Sequence, residues 1–519
     1  MVHRVDEVVG GRVARRPESQ VPRRARGPKV RRLADRMVDE PQRFEGPALG
    51  DPPADHRYPD LITEPGHTSR QVGLWGVVSI GIGGMVGGGI FAVLGLSVQI
   101  ARGGAPIAFL VAGGVALLTA RSYALLSKSY PRKGGTVTFV NEAFGTGLFS
   151  GGMNVLLWLS YIVMLSLYSQ AFGSYAASLL PQRTQAGAKH LFLSAAVVLI
   201  TVLNIAAAST VARAERIVVV IKLVILVIFV AVGFAGISSS RLAPGQWSSP
   251  VSLVAGGMIV FLAYEGFELI ANAAEDVADP GRTLPQAYYI SVLFVIVLYV
   301  LVAVVSVGSV PVAQLVQARD YALAIAARPA LGGVGFKMIA IAAMLSTASA
   351  INATLYGTER LSNTIARKGE LPERLEEPIW HRPLAGLFIT AAATLVLANV
   401  LDLASISTMG SAGFLIIFGV VNAAEARTSQ QRGSRAWVSV GAGLACAAAL
   451  VALIVKSSAG ADAFLAVMVA LAFGIEAGSR RLTARKPPVP ECERVAEVSP
   501  GAGAKAGRRS GWSLFKRIF

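Results

Sequence analysis

The hydrophobic residues of this chain lie in long runs, and short polar segments separate one run from the next. About twelve of the runs are long enough to cross a hydrocarbon layer of about 30 Å as a helix that rises 1.5 Å per residue. These runs are predicted to be membrane-spanning helices. They centre near Val86, Val115, Leu159, Val198, Val227, Ile259, Val297, Met344, Ala392, Phe414, Ala449 and Val467.

The first run, residues 74–100, is interrupted by a glycine-rich segment at residues 81–91. A bilayer supplies no water to satisfy broken helix hydrogen bonds. A spanning helix that gives up these bonds therefore does so where its free backbone groups face protein or a ligand. The segment predicts a broken helix that lines a binding site.

Two other interpretations of the glycines are open. Gly83 with Gly87, and Gly84 with Gly88, form small-x-x-x-small pairs, the common device for close helix packing in lipid. Residues 87–92 also match a dinucleotide-binding pattern, but no strand precedes them and no acidic residue follows at the required distance. The glycines fill both faces of the helix, which favours an unwound backbone over a packing stripe.

The sixth run, residues 253–274, carries a second interruption at Gly256 and Gly257 and at the polar, acidic patch of residues 263–268. Inverted-repeat transporters place discontinuous helices at corresponding positions in their two halves. The sequence therefore predicts an all-α integral membrane protein of about 12 transmembrane helices, with a five-plus-five inverted repeat and discontinuous helices 1 and 6. Helices 1–5 cover about residues 74–236, helices 6–10 about residues 252–425, and helices 11–12, an appendage, about residues 435–478.

Composition agrees with residence in a membrane, since 53% of the residues are hydrophobic, 15% are charged and the mean hydropathy is +0.56. The net charge of +17 does not indicate a nucleic-acid partner, because the basic residues concentrate in the tails and in four short loops. Those loops fall on one side if the helices alternate, which predicts a multi-pass plasma-membrane protein with both termini cytoplasmic. The loops are residues 121–133, 213–216, 360–382 and 427–435.

The spans lack the residues that an enzyme would need. All five histidines lie in the tails or at predicted loop edges, so no set of His, Asp or Cys ligands converges within the spans. The sequence also has no Gly-x-x-x-x-Gly-Lys-Ser/Thr segment for binding ATP. We therefore predict no catalytic residues, no metal, no cofactor and no direct drive by ATP. A membrane enzyme or scaffold is a remote alternative.

Three segments resemble signatures of the amino acid, polyamine and organocation (APC) transporter superfamily: the glycine-rich first helix, residues 261–268 and residues 274–285. The chain is most similar to the proton-coupled, broad-specificity amino acid transporters of the ApcT type, through residues 350–357 and 368–373. The resemblance covers about residues 73–476 and implies a LeuT-like fold.

The same resemblance implies a secondary transporter that moves amino acids across the cytoplasmic membrane by alternating access, with proton symport as the leading mechanism. An amino acid/polyamine exchanger of the same fold is the alternative. The partners of the protein would be an amino acid, protons and the lipid bilayer. Sodium coupling, the choice of amino acid and the oligomeric state are left open. The domains are then a permease domain at residues 71–478 and basic cytoplasmic tails at residues 1–70, predicted to be disordered, and 479–519.

A free amino acid presents a carboxylate and an ammonium, and a broken helix offers a complement to each. N–H groups at the start of its second half favour the anion, and carbonyl groups at the end of its first half favour the cation. We expect the N–H groups of Gly87, Gly88 and Gly89 to bind the carboxylate. The amine is expected at the carbonyl groups of Gly83, Met85 and Ala263.

Lys222 lies in an apolar run of the fifth helix, where an ammonium costs several kcal/mol unless it is paired, hydrated or neutral. One interpretation is snorkelling, because Arg216 precedes it by only about 9 Å of helix rise. The resemblance implies another, since ApcT-like transporters have a lysine here that stands in for a coupling sodium ion. On that hypothesis Lys222 couples proton movement to uptake and contacts carbonyl groups near Gly83 and the hydroxyls of Ser346 and Ser349.

Glu265 and Glu268 would share one face of the sixth helix because they are three residues apart. The simpler interpretation is that these are buried carboxyl groups, protonated or hydrogen-bonded, that order the break, with Glu268 in this structural role. A second proton site, or a counter-charge from Glu265 for a cationic substrate, is the alternative. Glu275 and Arg282 are predicted to form salt bridges in the loop after this helix, in a structural or gating role.

Overall fold

The computed structural model describes residues 72–131, 134–367, 384–431 and 436–482. Within these ranges the regular structure is helical, apart from two isolated β-bridges. The α-helices are α1 Leu74–Met85, α2 Gly89–Ala101, α3 Ala105–Ser129, α4 Gly135–Phe144, α5 Leu148–Ser178, α6 Gln185–Gly233, α7 Ser239–Leu242, α8 Pro250–Val260, α9 Leu269–Asn272, α10 Pro280–Ser309, α11 Val312–Ala318, α12 Ala322–Ala326, α13 Arg328–Arg367, α14 Ala385–Val400, α15 Leu403–Gln431, α16 Trp437–Lys456 and α17 Ala459–Leu482. Six 3₁₀ segments join them, at Gln182–Thr184, Phe234–Gly236, Pro244–Gln246, Phe261–Glu268, Ala274–Asp276 and Arg319–Tyr321.

Ten helical segments of the described ranges are long and apolar enough to cross a membrane. The bent pair α1 and α2 adds an eleventh, and α14, with 16 residues, is a shorter apolar helix. The predicted all-α membrane fold is therefore confirmed. The five-plus-five, LeuT-like arrangement of twelve helices stays a prediction, and so do the domain boundaries. The predicted tails lie outside the described residues, except that α17 continues to Leu482.

One predicted loop is helical. The sequence placed a short basic loop at residues 213–216, between the fourth and fifth helices, but α6 continues through it as one helix of 49 residues. Its two apolar segments are Gln182–Ile205 and Ile217–Gly236. The connecting residues 206–216 contain no glycine or proline and are rich in alanine and arginine, which are strong helix formers.

The first break is narrower than the sequence predicted. Helix α1 continues to Met85 and α2 begins at Gly89, with a bend of 47° between them, so only Val86, Gly87 and Gly88 leave the helix. Because glycine permits an unwound backbone without requiring one, Gly81 and Gly84 stay helical. A Cβ atom at Gly84 would lie 2.7 Å from the carbonyl oxygen of Gly266, so the packing interpretation is correct for this glycine.

The second interruption is an eight-residue 3₁₀ segment, Phe261–Glu268, between α8 and α9. Runs of 3₁₀ helix longer than three or four residues are uncommon and often mark functional positions. The segment crosses the first break at two points of backbone contact. A Cβ atom at Gly266 would lie 2.2 Å from the carbonyl carbon of Gly84, and one at Gly89 would lie 2.7 Å from Cα of Ala263. The crossing places both interruptions at one position in the bundle.

Candidate functional site

The glycines predicted to bind a carboxylate lie at the start of α2. Gly88 is the N-cap and has no side-chain cap, so the first N–H groups of the helix have no side-chain acceptor from that residue. Unpaired N–H groups and the positive end of the helix dipole favour an anion there. Gly89 packs against Ala263, whereas a Cβ atom at Gly88 would lie 2.5 Å from Cδ1 of Tyr168 and 2.8 Å from Cγ2 of Thr347.

The carbonyl groups predicted to bind the amine already accept hydrogen bonds from side chains. The Gly83 carbonyl accepts from Nζ of Lys222 at 3.2 Å. The Met85 carbonyl accepts from Oη of Tyr299 at 2.6 Å, and the same hydroxyl lies 3.4 Å from the carbonyl oxygen of Ala263. A carbonyl oxygen has two lone pairs, so each can still accept from a ligand.

Lys222 is buried, with 1% of its surface exposed. Its contact with the Gly83 carbonyl directs the side chain toward α1, so the snorkelling interpretation is wrong. Ser346 Oγ donates to the carbonyls of Val86 at 3.2 Å and Gly87 at 2.7 Å, whereas the half-buried Ser349 follows on α13. Lys222 thus contacts a carbonyl near the end of α1, and Ser346 contacts two carbonyls in the break. Their role in proton coupling stays a prediction.

Tyr299 is a site residue that the sequence analysis missed. It lies in an apolar run of α10 and is fully buried beside the rings of Tyr264, 5.1 Å away, and Phe109, 6.1 Å away. The signal available in the sequence was a single hydroxyl in an otherwise hydrophobic stretch. A buried tyrosine hydroxyl needs a hydrogen-bond partner, but the sequence does not reveal which one.

The two predicted carboxyl groups of the sixth span face tyrosines. Glu268 accepts hydrogen bonds from Oη of Tyr161 and, at 3.2 Å, from Oη of Tyr123. Glu265 lies beside Tyr161 and near Tyr168. Both glutamates have 2% of their surface exposed, so the sequence-based expectation of buried, hydrogen-bonded groups fits Glu268. The remaining two predicted residues are Glu275, which is exposed in the segment before α10, and Arg282, which is exposed in the first turn of α10. Their gating role stays a prediction.

A cavity of about 590 Å³ leads to Glu268 and Tyr161. It lies between α1, the start of α4, α5, the sixth span and α13, and Arg360 near the end of α13 is among its lining residues. The glycines of the first break are not among its lining residues. The carboxyl pair thus lies between the cavity and the break.

Two ion pairs lie at the end of the bundle opposite to this cavity. Lys189 Nζ lies 2.7 Å from a carboxyl oxygen of Asp320, and Arg319 Nη2 lies 3.1 Å from one of Asp402. Partial burial opposes ionisation of Asp402, but hydrogen bonds from Ser405 and the charge of Arg319 outweigh it and lower the pKa of that carboxyl. Asp320 and Arg319 precede α13, whose first turn is separated from the rest by the non-helical Gly332, whereas Arg360 of the cavity lies near the other end of that helix.

Comparison with known proteins agrees with this architecture. The sequence model of the amino acid permease family matches residues 72–474. The chain belongs to the amino acid permease family. The permease is 34% identical over 351 residues to an uncharacterized protein of Methanocaldococcus jannaschii, which covers 67% of this chain and 81% of the relative.

Two further relatives are named as transporters. The inner membrane transport protein YbaT of Escherichia coli is 33% identical over 361 residues, covering 69% of this permease and 84% of the relative. The branched-chain amino acid permease BcaP of Bacillus subtilis is 26% identical over 379 residues, covering 68% and 80%. Family membership makes the chain a multi-pass membrane transporter of the APC superfamily and not an enzyme.

The Tyr299 hydroxyl yields a prediction about the stability of the permease. Tyr299→Phe is expected to lower the free energy of unfolding by about 1–3 kcal/mol, because the buried Met85 carbonyl loses its donor while the ring still fills its place. The thermal midpoint of the purified protein in detergent measures this effect. Tyr289→Phe, at a tyrosine of the same helix that is 37% exposed, is the matched control. Equal midpoints for the two variants would contradict the prediction.

Proposed function

We propose that this permease imports amino acids by alternating access, coupled to protons, with the substrate bound where the two broken helices cross. The observation that carries the proposal is the 3.2 Å contact between the Lys222 ammonium and the Gly83 carbonyl. A coupling cation at this position would bind the negative end of the α1 dipole. A protonated lysine supplies that charge and withdraws it when the proton leaves, so the position of α1 follows the protonation state.

The backbone around the crossing suits the parts that all amino acids share. The carboxylate would take the N–H groups at the start of α2, from Gly87 to Gly89, and the ammonium would take the carbonyls of Met85 and Ala263. Tyr299 contacts both carbonyls and its hydroxyl oxygen can accept from the same ammonium. Selectivity among amino acids would then depend on the side chains around the crossing.

The two ends of the bundle support alternating access. The 590 Å³ cavity approaches the crossing from the end of α13 that carries Arg360, whereas the ion pairs Lys189–Asp320 and Arg319–Asp402 connect segments at the other end. With both termini cytoplasmic, as the positive-inside bias predicts, the cavity faces the cytoplasm. The structure would then be an inward-facing conformation.

Transport assays on proteoliposomes test this proposal. A panel of radiolabelled amino acids and polyamines is offered while the pH gradient, the sodium gradient and the internal counter-substrate are varied separately. Proton symport predicts uptake of amino acids that rises with an inward proton gradient and needs neither sodium nor internal substrate. Uptake that depends on internal substrate would instead identify an exchanger, and a polyamine preference would assign Glu265 the counter-charge role.

Gly88 tests the carboxylate site. Gly88→Ala should reduce the uptake of every transported amino acid by the same factor, about tenfold, because the added methyl displaces Tyr168 and crowds a group common to all substrates. The ratio of uptake rates across the panel, variant to wild type, is the measurement. Loss confined to some amino acids would contradict the assignment.

A further inference from the structure

The 3₁₀ conformation of the sixth span aligns two carboxyl groups. With three residues per turn, Glu265 and Glu268 lie one above the other on a single face of Phe261–Glu268. Both are buried, and Tyr161 of α5 lies beside both. An α-helix would offset them by about 60°, so the 3₁₀ segment aligns them more closely beside the tyrosine.

The pair has no neutralising cation among the described residues. Neither glutamate belongs to the ion pairs Lys189–Asp320, Arg319–Asp402 or Arg480–Glu476. Two neighbouring carboxylates out of water, without a cation, would cost several kcal/mol. One proton held by the pair would remove most of this cost. The ionisable groups facing it are Tyr123 of α3, Tyr161 and Tyr168 of α5 and Tyr288 of α10, and Asp276 and Arg360 line the adjoining cavity.

The pair also joins two regions. Glu268 and Tyr161 line the 590 Å³ cavity, which gives them access to water. Glu265 lies near Tyr168, whose ring contacts Gly88 and whose hydroxyl approaches Gly87 in the first break. Hydroxyl and carboxyl groups thus form a line from the cavity to the crossing.

We propose that Glu265, Tyr161 and Glu268 form a proton relay, separate from Lys222, between this cavity and the substrate site. The inference rests on the proposed transport function for its purpose. The relay starts with the proton of the pair on Glu268 and with Glu265 ionised. The Tyr161 hydroxyl, which donates to Glu268 in this structure, turns to Glu265 and gives it a proton while the Tyr161 oxygen takes the proton of Glu268. A hydronium ion in the cavity then protonates Glu268 again and becomes water. Each O–H bond broken is matched by one formed, and no other reactant is needed.

Infrared spectroscopy of the reconstituted full-length protein tests whether the pair holds a proton, with the proton itself as the probe. At neutral pH the wild-type protein should show a C=O stretching band of a protonated buried carboxyl that is missing from the double variant Glu265→Gln/Glu268→Gln. Tyr161→Phe should shift the frequency of that band, because it removes a hydrogen bond to the pair. Glu425→Gln, at a buried glutamate of α15, is the control and should leave the band in place. An unchanged band in the double variant would overturn the proposal.

Transport by Tyr161→Phe separates a relay from a structural role. Phenylalanine fills the same space but cannot pass a proton, so uptake driven by a pH gradient should fall about tenfold or more. Exchange of labelled for unlabelled amino acid at equal pH moves no net proton and should stay near the wild-type rate. Equal loss of both activities would show a structural role and overturn the relay. If the wild-type protein transports no amino acid, the proposed function fails, whereas the infrared band still decides whether the pair holds a proton.

Discussion

Lys222→Ala is expected to abolish the accumulation of amino acids in response to a pH gradient. If one proton accompanies each amino acid, a gradient of one pH unit, about 1.4 kcal/mol, supports at most about a tenfold accumulation by the wild-type permease. Without the ammonium, no charge at the Gly83 carbonyl changes with protonation, so the inside and outside concentrations should become equal. Steady-state accumulation in proteoliposomes with an imposed pH gradient measures the effect.

Lys337→Ala is the matched control for this experiment. Lys337 also lies on a membrane-spanning helix, α13, but it is exposed and outside the crossing. The control variant should accumulate substrate as the wild type does. A Lys222→Ala protein that still concentrates amino acids in proportion to the pH gradient would exclude Lys222 as the coupling group.

The second large effect is expected at the crossing itself. In Gly266→Ala the new methyl group would lie 2.2 Å from the carbonyl carbon of Gly84 and 2.3 Å from the amide nitrogen of Met85. These are backbone atoms, which cannot move aside without shifting α1, so we expect a loss of about 3 kcal/mol in stability and of most transport. Thermal unfolding in detergent and uptake in proteoliposomes provide the two measurements.

Gly114→Ala provides the comparison for Gly266→Ala. Gly114 is exposed on the membrane-spanning helix α3, and an added Cβ atom would meet no other atom within 4 Å. Alanine is the better helix former by about 1 kcal/mol, so this variant should be as stable as the wild type or slightly more stable. A Gly266→Ala protein with wild-type stability would show that the two breaks do not pack as described.

The glycine-rich first helix shows how far sequence reasoning reaches. The run of glycines predicted an interruption, and the break at residues 86–88 lies inside the predicted segment. The sequence could not tell which glycines unwind and which provide room for a neighbour. Gly84 provides room because Gly266, far along the chain, lies against it, and no local pattern contains that information.

For the polar groups of the site, too, the sequence indicates an unusual residue and the tertiary structure shows its partner. An ammonium in an apolar run marked Lys222 as unusual, but snorkelling and burial were equally consistent with its position. The contact with Gly83, a residue 139 positions away, decides between them. Tyr299 carried no comparable signal, since its importance comes from carbonyls 214 and 36 positions away.

The sequence by itself determined that this protein is an all-α membrane permease, where most of its spans lie and where two of them are interrupted. These properties are local, because a helix in lipid must satisfy its own backbone hydrogen bonds and its apolar length must match the bilayer. Only the tertiary structure decided that the breaks cross, that Lys222, Tyr299 and Ser346 meet the freed carbonyls, and that two glutamates flank one tyrosine. Such contacts depend on the rotation and order of packed helices, which side chains distant in the sequence determine together.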